Sequence, residues 1–159
     1  MTFIASDFIN ADQLQRFAVV SDAATRMRPG HPSFASWLSE HRTFSIGLPR
    51  QTGKTTALMS LADESTVVMF PTHRMLDYAK REYSSVSAGL LFTPYSFADF
   101  AHSFSTLHNP LKITRIFMDE FDFAPIRDME NVMHAINFMH ARRALADDVF
   151  ILKVGTPRC

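Results

Sequence analysis

The chain has little that would lock it covalently or tie it to a membrane. Cysteine occurs once, as Cys159 at the last position, so no disulfide can close within the chain and a reducing compartment is expected. No apolar run approaches the length of a membrane span. The N-terminus lacks a cationic segment followed by an apolar core, so no signal peptide is expected. Net charge is also absent: 16 Lys and Arg balance 16 Asp and Glu. That excludes a chain-wide basic footprint, so any nucleic-acid contact has to be local or shared among subunits. There is no internal repeat and no low-complexity tract. Apolar residues are abundant: 47% of the 159 residues are hydrophobic, with 15 Phe and 9 Met. This is enough for one α/β domain with an aromatic, adaptable core, or for an apolar face that a partner covers.

Periodicity divides the chain at about residue 42. Before it, residues 12–25 place Leu14, Phe17, Ala18 and Ser21 at helical spacing, with Asn10 or Asp12 as cap. A Pro/Gly loop follows at 28–32, then a short helix over 33–40 carrying Trp37 and Leu38. Beyond it, strands and helices alternate. Strands are expected at 43–47, 66–70, 89–93, 113–120 and 149–154, and helices at 55–61, 72–83, 96–104 and 127–146. Alternation of this kind predicts right-handed crossovers and a parallel sheet covered on both faces, with ligands at the carboxyl ends of the strands.

Three motifs fall at those ends. Leu48-Pro49-Arg50-Gln51-Thr52-Gly53-Lys54-Thr55-Thr56 lies between the first strand and its helix, the context a phosphate-binding loop needs. Gly53 lets the backbone approach a phosphate. Lys54 reaches the β- and γ-phosphates, and the Thr55 hydroxyl ligates Mg²⁺. The full pattern has a glycine where this chain has Leu48. The second motif is the apolar strand ending in Asp119-Glu120. Asp119 suits the Mg²⁺ shell and Glu120 suits polarising a water for attack on the γ-phosphate. Strand alternation predicts that the two carboxylates point in different directions. The third is Val154-Gly155-Thr156-Pro157, where Thr156 is placed to sense the γ-phosphate or simply to make a turn.

Residues 43–157 resemble the ATPase domain of large terminases, the DNA-packaging motors of tailed bacteriophages and herpesviruses. The likeness rests on Pro49-Arg50-Gln51-Thr52-Gly53-Lys54-Thr55, on Phe117-Met118-Asp119-Glu120-Phe121-Asp122-Phe123, and on Val154-Gly155-Thr156-Pro157. Terminase loops often lack the first glycine, as here. The resemblance implies a three-layer α/β P-loop NTPase fold, RecA-like and of the additional-strand, catalytic-glutamate type, with a mostly parallel sheet. It would be a single ATPase domain over 1–159, with 1–42 as a helical extension and 43–159 as the nucleotide-binding core. It implies Mg²⁺-dependent ATP hydrolysis powering DNA packaging. The loop residues Gln51, Thr52, Gly53, Lys54, Thr55 and Thr56 would bind ATP, and Thr55 and Asp119 would hold Mg²⁺. Glu120 would activate water, Arg50 would act as an arginine finger in cis, and Thr156 would couple hydrolysis to movement. Gln13 and Gln15 are candidates for reading adenine. The partners implied are duplex DNA and further copies of the chain or a capsid portal, and no membrane; the compartment is the cytoplasm, the host's if the protein is viral. Terminases continue into a nuclease domain, whereas this chain ends three residues after Thr156, so DNA cutting is not expected of it.

Helicases share the general plan, and Phe70-Pro71-Thr72 resembles one of their nucleic-acid-contact segments. A helicase-like ATPase fragment, a small-molecule kinase and a non-enzymatic nucleotide-binding module are the alternatives; Glu120 directly after Asp119 counts against the kinase. The histidine pairs His102/His108 and His134/His140 are each six residues apart, which gives no metalloprotease-type ligand face. Arg127, Arg142 and Arg143 would serve as fingers only toward a neighbouring subunit. Arg74, Lys80 and Arg81 are either a solvated helix face or contacts to a DNA backbone.

Overall fold

The computed structural model describes residues 4–24, 33–49, 52–85, 87–104, 112–120 and 126–156, with side chains described outside 18–24. In chain order the elements are a 3₁₀ turn η1 (Ala5–Asp7), α1 (Ala11–Ala24), α2 (Phe34–His41), β1 (Thr43–Gly47), α3 (Lys54–Leu61), β2 (Thr66–Met69), α4 (His73–Tyr83), β3 (Leu90–Phe92), α5 (Pro94–Ser103), β4 (Ile113–Asp119), α6 (Ile126–Ala141) and β5 (Leu145–Gly155). Local chemistry sets most boundaries. Asn10 Oδ1 accepts from the Gln13 amide at the start of α1. The hydroxyls of Ser33 and Thr72 cap α2 and α4 in the same way. Thr93 and Ser96 form a capping box at α5, with Pro94 in its first turn.

All strand pairs are parallel, in the order β1-β5-β4-β2-β3. Alternation along each strand sorts side chains to two faces. Val67, Met69, Ile116, Met118 and Ile151 join a core with residues of α2, α5 and α6. Val68, Phe70, Phe117, Phe150, Leu152 and Val154 join a second with η1, α1, α3 and α4. Helices thus cover both faces, as near-continuous apolar strands require. Each fully buried side chain of this size contributes roughly 1.5–3 kcal/mol. The N-terminal segment belongs to the second core: Ala5, Ile9 and Leu14 are buried there, and Phe17 stacks on Phe44 at 4.3 Å between ring centres. Among the described residues no helix is long and apolar enough to cross a membrane.

The expected boundary at the end of the long helix is wrong. Rather than running over 127–146, α6 ends at Ala141 and β5 begins at Leu145, ahead of the expected 149. Arg143 takes a left-handed conformation (φ 58°). Its amide donates to His140 O at 3.0 Å, and the Ala144 amide reaches back to Met139 O at 2.9 Å. This is a Schellman stop, closed by burial of Ala144 and Met139 in one core. The stop carries no glycine to announce it. The first residues of β5 were also obscured, because Asp147 and Asp148 are exposed at a break in the β4–β5 register.

Candidate functional site

β1, β4 and β5 end at the same edge of the sheet, and each delivers polar groups there. The loop after β1 closes over the edge: the Leu48 amide donates to Gly155 O at 2.9 Å and the Thr52 hydroxyl donates to Pro49 O at 2.9 Å. Gly53 caps α3 in the left-handed region at φ 82°, with nothing within 4 Å of where a Cβ would stand. A side chain there would be strained by the backbone, and it would intrude on open space in front of the helix N-terminus. Arg50 and Gln51 lie outside the described residues. From the N-terminal side, the Ala5 amide donates to Thr52 O at 2.7 Å, holding the loop from η1.

Lys54 is only 6% exposed, and its ammonium is ringed by oxygens. Nζ donates to Leu48 O at 3.1 Å, Pro49 O at 3.2 Å and the Thr156 hydroxyl at 2.8 Å, and pairs with Glu120 Oε1 at 3.1 Å. The Thr156 hydroxyl in turn donates to the Glu120 carboxylate at 3.0–3.1 Å. Thr55 Oγ1 donates to Asp119 Oδ2 at 2.5 Å. Two bonded groups therefore stand side by side at this edge, Lys54 with Glu120 and Thr156, and Thr55 with Asp119.

The two carboxylates correct the expectation drawn from strand alternation. Asp119 is the last residue of β4, on the α3 side of the sheet. Glu120 lies beyond the strand, with φ 49°. From that left-handed turn its side chain reaches Lys54 and Thr156 while Asp119 takes Thr55, so the different partners of the two acids come from the turn and not from strand alternation.

Asp119 is 1% exposed, and among the described residues its Oδ1 has no hydrogen-bond partner. Burial pushes its carboxyl up from 3.8 to about 6; the Thr55 hydroxyl opposes the rise, Glu120 adds to it and Lys54 reduces it. A buried carboxylate with one oxygen on a threonine hydroxyl and the other unpartnered is a hard-oxygen donor set. Such a set suits a hard divalent cation such as Mg²⁺, which Thr55 and Asp119 would hold.

The cleft over these groups has a volume of about 610 Å³. Thr52, Gly53, Lys54, Thr55, Thr56, Glu120 and Thr156 form its loop side, as the motifs lead one to expect. The opposite wall was not expected: Thr72, Met75, Tyr78 and Tyr83 of α4 and its cap. Tyr83 Oη lies 2.7 Å from Thr56 Oγ1. Gln13 and Gln15 are not among the residues lining the cleft.

Several other candidates sit elsewhere. Arg142 donates to Phe104 O at 2.9 Å and lies 4.5 Å over the Phe138 ring, at the far end of α6 from the cleft. Arg143 makes the helix stop described above. His140 stacks on Phe34 at 3.8 Å and His102 packs on Phe138 at 4.6 Å, both as ring contacts. His108 is outside the described residues.

Compared with known protein families, the chain matches no family model, and no curated protein shows significant similarity to it.

Proposed function

We propose that this chain binds ATP with Mg²⁺ and hydrolyses it, as the ATPase domain of a DNA-translocating motor of the terminase kind. What carries the reading is the convergence of Lys54, Thr55, Asp119, Glu120 and Thr156 on one strand edge, around a left-handed Gly53 at a helix N-terminus. The strand order supports the additional-strand, catalytic-glutamate type of P-loop fold, since β5 lies between the loop strand β1 and the Asp119 strand β4.

In this reading a triphosphate displaces Glu120 from the Lys54 ammonium and takes its charge. Thr55 and Asp119 would hold Mg²⁺, which when bound would supply charge neutralisation at the phosphates. Glu120, freed from Lys54 and still oriented by the Thr156 hydroxyl, accepts the proton of the attacking water. Arg50 adds charge from within the loop. A water-excluding closure over the γ-phosphate comes from neighbouring subunits, duplex DNA or a portal.

The test is calorimetric ATP binding and ATPase activity, with and without duplex DNA, across protein concentration. Lys54→Ala should weaken ATP roughly ten- to a hundredfold, the loss of one charge-assisted contact. Equal affinity in the two proteins would overturn the phosphate-loop reading. Turnover that rises with concentration or DNA supports a motor part, whereas fast turnover indifferent to both points to a stand-alone enzyme. A second reading, a nucleotide-binding regulatory module, is favoured by one observation: Glu120 is already engaged by Lys54 and Thr156. ATP binding without turnover under any condition would decide for it.

A further inference from the structure

The cleft continues past the metal-binding pair into a second lobe of about 420 Å³, within the ~300–1,000 Å³ range of small-ligand sites. Its floor is Thr55, Asp119 and Glu120, and its wall is the outer stripe of α4, with Arg74, Tyr78 and Arg81. Thr55, Met75, Tyr78 and Glu120 border both lobes, so they form one continuous trough. Arg74, Tyr78 and Arg81 stand at i, i+4 and i+7, one stripe spanning two turns, or about 10 Å. Leu76 and Ala79 anchor the opposite face of the helix in the core.

We infer that this lobe is a second binding site, for a nucleotide unit whose phosphate is held by Arg74 and Arg81 and whose base stacks on Tyr78. The inference rests on the triphosphate occupying the loop side. Two observations and one general principle support it. Tyr78 is 50% exposed, and its ring has no stacking or hydrogen-bond partner among the described residues. Although Asp77 and Glu82 share the helix, no described carboxylate lies within ion-pair distance of Arg74 or Arg81. Guanidinium groups flanking an aromatic face pair planar bidentate donors with a stacking platform, a combination that suits phosphate plus base rather than a bare anion. The acids on the floor repel a phosphate lodged deep in the lobe, so the phosphate sits at the arginine rim. Two sources share this chemistry, a free nucleotide and a single strand of nucleic acid.

Anisotropy of a short fluorescein-labelled oligothymidylate, over a salt series, tests this on the whole chain. Thymidine monophosphate as competitor separates the two sources: effective competition assigns the site to free nucleotides, and its failure assigns the site to a strand. Either supports the site if the variants behave as follows. Tyr78→Ala should weaken the oligonucleotide about tenfold. Arg74→Ala with Arg81→Ala should reduce the slope of log affinity against log salt by about 1.4, at ~0.7 for each contact to a single strand. Lys80→Ala, on the same helix but off the lobe, should change neither. Lys54→Ala should weaken ATP as above while keeping the oligonucleotide. The site is overturned if the wild type binds neither probe, if Tyr78→Ala binds as wild type does, or if Lys80→Ala shifts the salt slope as much as an arginine variant. ATP binding, measured separately on the same proteins, judges the phosphate-loop reading, so the two can fail independently.

Discussion

Asp63 and Asp119 are the same side chain near opposite ends of the strands, and the fold treats them in opposite ways. Asp63 sits in the turn before β2. Its Oδ1 accepts from the Ser65 amide at 2.9 Å, the Ser65 hydroxyl at 2.6 Å and the Thr66 hydroxyl at 3.0 Å, and Arg115 lies 3.9 Å from its other oxygen. Partial burial pushes its carboxyl up, but the Ser65 and Thr66 hydrogen bonds and the Arg115 charge outweigh it, and the net direction is down from 3.8. Asp119 has the Thr55 hydroxyl on one oxygen, no partner on the other among the described residues, and a carboxyl raised to about 6. A carboxylate whose bonds the protein completes holds the turn together. One that is buried with an oxygen left over costs stability, and that cost is recovered when something else binds.

The largest expected effect concerns the group beside Asp119. Glu120→Gln keeps the hydrogen bond from Thr156 but removes the base, so steady-state turnover should fall about 10²–10⁴-fold while calorimetric ATP affinity is retained. Equal losses of binding and rate would make Glu120 a metal or structural group instead.

Asp119 itself should show its cost in the metal-free protein. Its folded-state pKa lies above its unfolded value, so the protonated form favours the fold. That contribution is fully present below about pH 4 and is lost as pH rises through about 6. Urea unfolding in chelator should therefore show wild type losing stability across this window, by at most about 3 kcal/mol. Asp119→Asn should remain flat there and be the more stable protein at neutral pH. Added Mg²⁺ should raise the stability of wild type and leave the variant unchanged. A wild-type protein that is more stable than Asp119→Asn in chelator at neutral pH would break the contrast between the two aspartates.

Asp63→Asn should do the reverse. A depressed pKa gives stability that is present above the unfolded value and lost as pH falls through the folded one. The side chain is half exposed, so screening keeps the effect small: about 1 kcal/mol at neutral pH, chiefly from hydrogen bonds to ionised Asp63. The difference between variant and wild type should fade in acid. The smallest effect is at the far end of α6. Arg143→Gly relieves a left-handed residue with a side chain and should stabilise the fold by up to about 1 kcal/mol in the same assay. Destabilisation would mean that the Arg143 side chain contributes more than its backbone costs.

The order of strands and helices could be read from the chain because most strands are apolar runs bounded by polar turns or Pro, and most helices, though not α3, have a one-sided stripe. The loop motif and Asp119-Glu120 could be read because glycine, lysine and paired acids at strand ends are local signals. The end of α6 could not. Its stop depends on Ala144 and Met139 meeting in a core, and the left-handed residue there is an arginine. The α4 wall was hidden for a similar reason: Thr72, Met75, Tyr78 and Tyr83 are separated from Lys54 in sequence, and only the crossover through β2 lays their helix beside α3.

By itself, then, the sequence determined which residues are apolar at which period, and hence a parallel sheet covered on both faces, along with the kinds of side chain available at the strand ends. The tertiary structure decided which of those side chains meet. Lys54 and Thr156 are brought to 2.8 Å because β1 and β5 are neighbours in register, Gly47 beside Gly155. Thr55 reaches Asp119 because β5 alone separates the loop strand from β4. Glu120 joins them through a left-handed turn. Pairing between strands far apart in the chain is a property of the whole sheet, and no local pattern encodes it.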